Sequence, residues 1–263
     1  MVIHKLNIMQ QVTPKKALGQ HFLTDEEIAR RIVDSLQASS HQVLEIGPGM
    51  GVLTRYLLQR SDINLRVVEI DRESVAYLQQ HFPELHDRIL ATDFLKLHLE
   101  ELYSQPLSII GNFPYNISSQ ILFKILENKD LVLETVGMFQ KEVAERVASA
   151  PGKKMYGILS VLLQAFFDIE YLFTVHEHSF NPPPKVKSAV IRITRNPEKR
   201  LHCDETLFKN VVKTAFNQRR KTLRNSLKSF EFTPEFKENE LLSKRPEQLG
   251  VAEFELICEN IVR

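Results

Sequence analysis

Between residues 42 and 140 the chain alternates short β-rich runs with stretches of helical periodicity, and this alternation limits the possible folds more than any other feature. The β-rich runs are 43–46, 65–70, 88–91, 107–110 and 132–139. Between them, Val52, Leu53, Tyr56 and Leu57 recur at one-face helical spacing. So do Ile121, Leu122, Ile125 and Leu126, which follow a Ser118-Ser119 start signal. Strands separated by helix-length crossovers pair in parallel, and the crossovers cover both faces of the sheet. The expected class is therefore α/β, a Rossmann-like, mostly parallel sheet. At 263 residues the chain can bury about 70–75% of its unfolded surface without disulfides or metals.

After residue 140 the pattern changes. Residues 155–167 are apolar and read as a helix. Ile169, Tyr171, Phe173 and Val175 then alternate on one strand face, and Ala189, Ile191 and Ile193 on another. They read as an antiparallel pair that closes the sheet edge, joined by a loop stiffened by Pro182-Pro183-Pro184. Residues 196–200 read as a linker. Beyond it the pattern is helical only, with Leu207, Phe208, Val211, Val212, Ala215 and Phe216 on one stripe. The expected division is a catalytic domain over 1–196 and a small all-α domain over 197–263.

A net charge of +1 means that any affinity for nucleic acid must come from local patches. Cys203 and Cys258 stand in no metal-ligand spacing, which argues against a zinc site or a disulfide framework and suits a reducing cytoplasm. Residues 1–12 are interrupted by His4, Lys5, Asn7 and Gln10 and lack the apolar run of a signal peptide. No segment approaches the ~18 apolar residues of a membrane helix. The expectation is a cytoplasmic protein without membrane or metal, and a monomer, since no apolar stripe is left unexplained.

The first strand ends in Glu45-Ile46-Gly47-Pro48-Gly49-Met50-Gly51, with a helix directly after. Glycines permit a tight turn and close approach of backbone to a ligand, and the helix start offers free N–H groups. A dinucleotide fingerprint would need a third glycine at the position of Val52, so the spacing disfavours NAD. Glu69 ends the second strand, where a carboxylate can accept from both ribose hydroxyls, and Asp93 ends the third, placed to accept from an adenine amine. Singly, these are equally a tight turn and two solvated carboxylates. Their joint placement at three consecutive strand ends favours a nucleoside cofactor.

The fourth strand ends in Asn112-Phe113-Pro114-Tyr115. Adenine's exocyclic amine is a poor nucleophile because its lone pair is delocalised into the ring. The Asn112 amide oxygen and a backbone carbonyl fixed by the proline can accept both amine hydrogens, and Tyr115 offers a face for the base. With an already activated methyl as electrophile, orientation and electrostatics suffice. The plainer alternative is a turn in which Asn and Pro serve geometry and Tyr fills core.

With these motifs in hand, the chain resembles the ribosomal RNA small-subunit adenine dimethyltransferase family over nearly its whole length. Lys16-Ala17-Leu18-Gly19-Gln20-His21-Phe22-Leu23 is similar to the family's N-terminal motif. The glycine turn and Asn-Phe-Pro-Tyr are similar to its cofactor and catalytic motifs. Residues 180–188, Phe-Asn-Pro-Pro-Pro-Lys-Val-Lys-Ser, resemble its proline-rich loop, and 216–227 resemble its basic segment. The resemblance implies S-adenosyl-L-methionine as cofactor, with contacts from His21, Leu23, Gly47, Glu69, Asp93 and Asn112. It implies that Phe180 stacks on the target base opposite Tyr115. It further implies dimethylation of two adjacent adenines near the 3′ end of small-subunit ribosomal RNA, with the small ribosomal subunit as partner. Two positions depart from the family pattern. His21 stands where many relatives carry Asn, and Phe113 replaces a more usual aliphatic residue, which implies a bulkier pocket wall.

A base must leave its stack to meet a buried methyl, and base–aromatic contacts worth about 1–3 kcal/mol each would offset that cost. Between residues 207 and 228 there are seven basic residues, Lys209, Lys213, Arg219, Arg220, Lys221, Arg224 and Lys228, and no acidic one. On one continuous helix, Lys209, Lys213, Arg220 and Arg224 would share a face opposite the apolar stripe. Such a face suits phosphates, with Arg219, Arg220, Lys221 and Arg224 as the RNA-binding set. Competing readings are a large-subunit RNA dimethyltransferase of the antibiotic-resistance type, a non-catalytic ribosome-assembly factor, and an NAD-dependent oxidoreductase.

Overall fold

The near-continuous apolar runs of the strands have a simple cause: both faces of the sheet are covered. The structure, a computed structural model, describes residues 12–37 and 39–262, so the reading of residues 1–11 as lacking a leader lies outside it. In chain order the strands are β1 (Phe22–Leu23), β2 (Gln42–Ile46), β3 (Asn64–Val68), β4 (Ile89–Leu90), β5 (Leu107–Asn112), β6 (Val132–Gln140), β7 (Phe167–Val175), β8 (Phe180–Asn181) and β9 (Ser188–Arg195). The helices are α1 (Glu26–Asp34), α2 (Thr54–Leu57), α3 (Arg72–His81), α4 (Leu99–Leu102), α5 (Ser118–Glu127), α6 (Lys141–Val147), α7 (Ile158–Gln164), α8 (Glu205–Asn217), α9 (Leu223–Ser226) and α10 (Val251–Glu259).

Seven strands form one sheet in the order β4-β3-β2-β5-β6-β9-β7. The pairs among β4, β3, β2, β5 and β6 are parallel. β9 runs antiparallel to both β6 and β7, so β9 alone is reversed and the edge strand β7 points the same way as the parallel strands. Residues of β2 and β5 alternate between two cores. Leu44, Ile46, Leu107 and Ile109 face α5 and α7, while Val43 and Ile110 join Leu65, Val67 and the apolar residues of α1. The described residues contain no helix long and apolar enough to cross a membrane.

Four expectations need correction. The helical stretch at 155–167 is shorter, because α7 ends at Gln164 and Phe167 already pairs with Arg195. In β7 the register shifts between Tyr171 and Phe173, a bulge that turns Ile169 and Tyr171 toward one core and Phe173 and Val175 toward the other. Ser118 does not cap α5. Its hydroxyl donates back to the Tyr115 carbonyl at 3.0 Å, so a single turn over Tyr115–Ile117 starts the helix. The basic segment is not one helix either. α8 stops at Asn217, and the chain turns so that the Leu223 N–H donates to the Lys244 carbonyl at 2.8 Å.

α8 starts at Asp204, whose carboxylate accepts from the Leu207 N–H at 2.7 Å. Its Phe208, Val211, Val212 and Ala215 pack with Phe254 and Ile257 of α10 in the same cluster as α5 and α7. Residues 196–200 do not run free. The Lys199 ammonium donates to the Phe167 carbonyl at 2.9 Å, and the Asn196 amide to Asp168, also at 2.9 Å.

Phe113 explains two glycines. Its ring is buried and meets Phe139 edge-on, with centroids 4.9 Å apart. A Cβ on Gly111 would lie 2.7 Å from that ring, and one on Gly137 would lie 2.6 Å from the Phe139 ring. The ring of the bulkier residue is thus seated in the core, and Phe113 also borders the cleft. Gly137→Ala should cost about 1–3 kcal/mol through overpacking. Urea unfolding measures this directly, and a midpoint equal to wild type contradicts the packing account.

Candidate active site

The chain order of the sheet reverses at β2 and β5, and open α/β sheets bind ligands outside the carboxyl ends of strands at such a point. An open cleft lies there, lined by His21, Gly47, Glu69, Asp93, Asn112 and Tyr115 among others. The turn after β2 holds Gly47, Gly49 and Gly51 at φ of 65°, 57° and 78°, a region that side chains disfavour. At Gly49 space is limiting as well: a Cβ would lie 2.8 Å from the Phe22 ring.

Glu69 is buried just beyond β3, and backbone N–H groups fix both of its oxygens. Gly49 donates to Oε2 at 3.1 Å and Asp71 to Oε1 at 2.8 Å. Burial pushes this carboxyl upward, against the pull of those two N–H groups. Each oxygen keeps a lone pair for a ligand hydroxyl. Asp93 accepts from the Leu95 N–H at 2.9 Å through Oδ1, and no donor among the described residues reaches its Oδ2. Glu45, below the glycine turn, is buried and accepts from the Thr54 hydroxyl at 2.6 Å. Desolvation, with the nearby Glu69 charge adding to it, raises its pKa to about 8.

At the other end of the cleft, the Asn112 amide nitrogen donates to the His21 carbonyl at 2.9 Å. The amide is thereby oriented, and Oδ1 is left as an acceptor that no donor among the described residues satisfies. The His21 ring stacks on Tyr115 at 5.4 Å and donates from Nδ1 to the Pro182 carbonyl at 2.8 Å. The Tyr115 hydroxyl bonds the Ser188 hydroxyl at 2.5 Å. Unfilled acceptors at Asp93 and Asn112, an anchored Glu69 and a backbone cradle between them fit a nucleoside whose reactive end lies toward Asn112.

Comparison with known proteins decides the family. The model of the ribosomal RNA adenine dimethylase family matches residues 12–252. The chain belongs to that family. It is 60% identical over 249 residues to the ribosomal RNA small subunit methyltransferase A of Parabacteroides distasonis, covering 94% of this chain and 93% of the relative. Identity to the protein of the same name from Bacteroides thetaiotaomicron is 59% over 250 residues, covering 94% and 93%. Among solved structures, a dimethyladenosine transferase from Plasmodium falciparum matches with a TM-score of 0.76 at 25% identity, covering 91% of this chain and 97% of that one. The 23S rRNA methyltransferase ErmE matches with a TM-score of 0.71 at 25% identity, covering 91% and 100%.

Two residues that the family resemblance assigned to the site stand away from the cleft. Leu23 and Phe180 face each other across the antiparallel β1–β8 pair, and both side chains are buried in one hydrophobic core. Neither lines the cleft, because their pairing turns both side chains inward. The basic residues also separate. Lys209 lies 3.6 Å from Glu127, and Lys213 sits over the Phe123 ring at 5.6 Å, so both serve the α8–α5 contact. Arg219 donates to the Lys154 carbonyl at 2.6 Å, and Arg224 to the Lys237 carbonyl, also at 2.6 Å. Arg220 and Lys221 are exposed.

The N-terminal arm makes contacts that the sequence reading missed. The Lys15 ammonium pairs with Asp71 and lies 3.1 Å from Glu73, while the Gln20 amide donates to Asp71 at 3.3 Å. Burial pushes the Asp71 carboxyl up, but Lys15, Gln20 and further donors pull it below the usual range. The arm is thus latched one residue pair beyond Glu69. The only sequence signal was an acidic residue two places after Glu69.

Glu45 yields a pH test. Its carboxyl keeps its proton in the folded state up to about pH 8, whereas the unfolded chain releases it near 4.5. The folded state therefore binds more protons between these values, and stability falls as pH rises through that window. Glu45→Gln should flatten that fall in melting temperature between pH 5 and 8, read by calorimetry. A difference from wild type that is constant across this range would contradict the assignment.

Proposed function

We propose that this chain transfers methyl groups from S-adenosyl-L-methionine to the N6 amines of two adjacent adenines near the 3′ end of small-subunit ribosomal RNA. The product is N6,N6-dimethyladenosine, made during small-subunit biogenesis. One observation carries the reading: the Asn112 amide is held by the His21 carbonyl with Oδ1 as its unsatisfied acceptor at the cleft. The names and identities of the bacterial relatives support the choice of the small subunit.

In this reading Glu69 holds the ribose, Asp93 the cofactor adenine amine, and the Gly47 backbone and His21 border the reactive end. Leu23 acts by anchoring the arm. Bound S-adenosyl-L-methionine supplies an already activated methyl on a sulfonium. The protein's task is to make the target amine nucleophilic. Asn112 Oδ1 and the backbone carbonyl before Pro114 accept the two amine hydrogens, which draws the nitrogen lone pair out of conjugation with the ring. Tyr115 is the stacking face. Phe180 could join it only if the β1–β8 pair opened, so we assign Phe180 to holding the arm. Residues 1–196 form the catalytic domain and 197–263 the helical RNA-binding domain, with Arg220 and Lys221 meeting phosphates. Arg219 and Arg224 shape the same segment through their carbonyl contacts. We further propose a cytoplasmic monomer, with both cysteines as free thiols.

The test is incubation with unmethylated small and large subunits and labelled cofactor, followed by mapping of the modified nucleotide by mass spectrometry. Label confined to the large subunit would refute the proposal. Asn112→Ala should lower turnover at least about 100-fold while leaving RNA binding near wild type. Unchanged turnover removes Asn112 from its role. Arg220→Ala should weaken RNA binding and reduce the slope of log affinity against log salt by ~1. An unaltered slope assigns Arg220 to structure.

A further inference from the structure

Behind the strand end that carries Asp93, one charged side chain is spent on main chain rather than on solvent or an acid. Lys124, in the middle of α5, donates its ammonium to the carbonyl of Leu95 at 2.9 Å and also to the carbonyl of Leu97. It lies over the Phe94 ring, 5.4 Å from its centroid. No acidic side chain pairs with it among the described residues, although Glu100, Glu127 and Asp93 bias it electrostatically. Burial pulls its pKa below the usual lysine range, as expected for an ammonium held by neutral carbonyls.

The residue that Lys124 grips is the one that holds Asp93. The Leu95 N–H donates to Asp93 Oδ1, and the Leu95 carbonyl accepts from Lys124. Leu95 is therefore fixed on both sides, and Phe94 and Leu95 themselves line the cleft. With Oδ1 committed to Leu95, Oδ2 is the oxygen left for an amine.

We propose that Lys124 is a positioning residue for the adenine end of the cofactor: by clamping Leu95 it aims Asp93 Oδ2 at the exocyclic amine and so selects adenine over a base carrying a carbonyl there. This rests on the assignment of Asp93 to the cofactor adenine. The chain of bonds runs from the α5 ammonium through one residue to one carboxylate. Each link is charge-assisted or backbone-donated, so a shift of the Leu95 backbone moves the carboxylate with it.

The experiment compares calorimetric binding of S-adenosylhomocysteine with that of its deaminated analogue S-inosylhomocysteine, which has a carbonyl in place of the amine. Wild type should prefer the adenine form. Lys124→Met should weaken the adenine form about tenfold, the scale of one lost hydrogen bond, and leave the inosine form nearly unchanged. Lys124→Arg, which keeps charge and donors, should restore the preference. In steady state, Lys124→Met should raise KM for the methyl donor while kcat holds. Equal weakening of both ligands, or a lower melting temperature with the preference intact, makes Lys124 merely structural and overturns the inference. Lys124→Gln provides a second removal of charge should the methionine variant fail to fold. Asp93→Asn separates the two levels. If it abolishes the preference while Lys124→Met does not, the clamp falls and the Asp93 assignment stands. If Asp93→Asn leaves the preference intact, both fall.

Discussion

The site depends on one hydrogen bond between parts of the chain far apart in sequence: the Asn112 amide nitrogen donates to the His21 carbonyl. An amide can present either its oxygen or its nitrogen to a ligand, and only the oxygen can draw hydrogens from an amine. The His21 carbonyl, itself able only to accept, decides the orientation. The arm that carries it is held in turn by the Asp71 latch, the β1–β8 pair and the contact between the His21 ring and the Pro182 carbonyl. The geometry at the end of β5 is therefore set by a segment outside the main sheet.

Around the cleft the chain keeps three acids almost dry. Glu45, Glu69 and Asp71 are all buried, and each is treated differently. Glu45 has one hydroxyl donor and stays protonated to about pH 8. Glu69 has two backbone donors, and Asp71 has a lysine. Three carboxylates near one turn would repel one another if all were charged alike. Distinct partners let them coexist, and they leave the oxygens of Glu69 positioned for a ligand that brings its own hydroxyl donors.

Much of this was legible in the residues. The parallel sheet followed from strand–helix alternation, and Gly47, Glu69, Asp93 and Asn112 line one cleft because strand ends, which period and spacing reveal, gather at one edge of such a sheet. What failed had a tertiary cause. The face of Phe173 and Val175 depended on a bulge, and bulges leave no mark in an alternating pattern. The helix through Arg219 broke because the Leu223 N–H found the Lys244 carbonyl, a partner invisible to local periodicity. Phe180 carries a motif position, but its ring direction is set by pairing with Leu23. The ring of Phe113 has room for a reason that only packing supplies, namely the two glycines beside it.

The short ladder between β1 and β8 bears on the order in which the molecule can be completed. Phe22 is among the first described residues to leave the ribosome during synthesis, and its partner Asn181 follows only after eight of the nine strands' worth of chain, with β9 still to come. The β1–β8 ladder must therefore wait while the parallel core is laid down, since domains assemble as units from the emerging chain. A truncated or stalled product ending before residue 180 would keep the Asp71 latch and the Asn112 contact but lack the strand and the Pro182 carbonyl that complete the hold on the arm. In partial chains the hold that the β8 strand adds to the arm is therefore late to form.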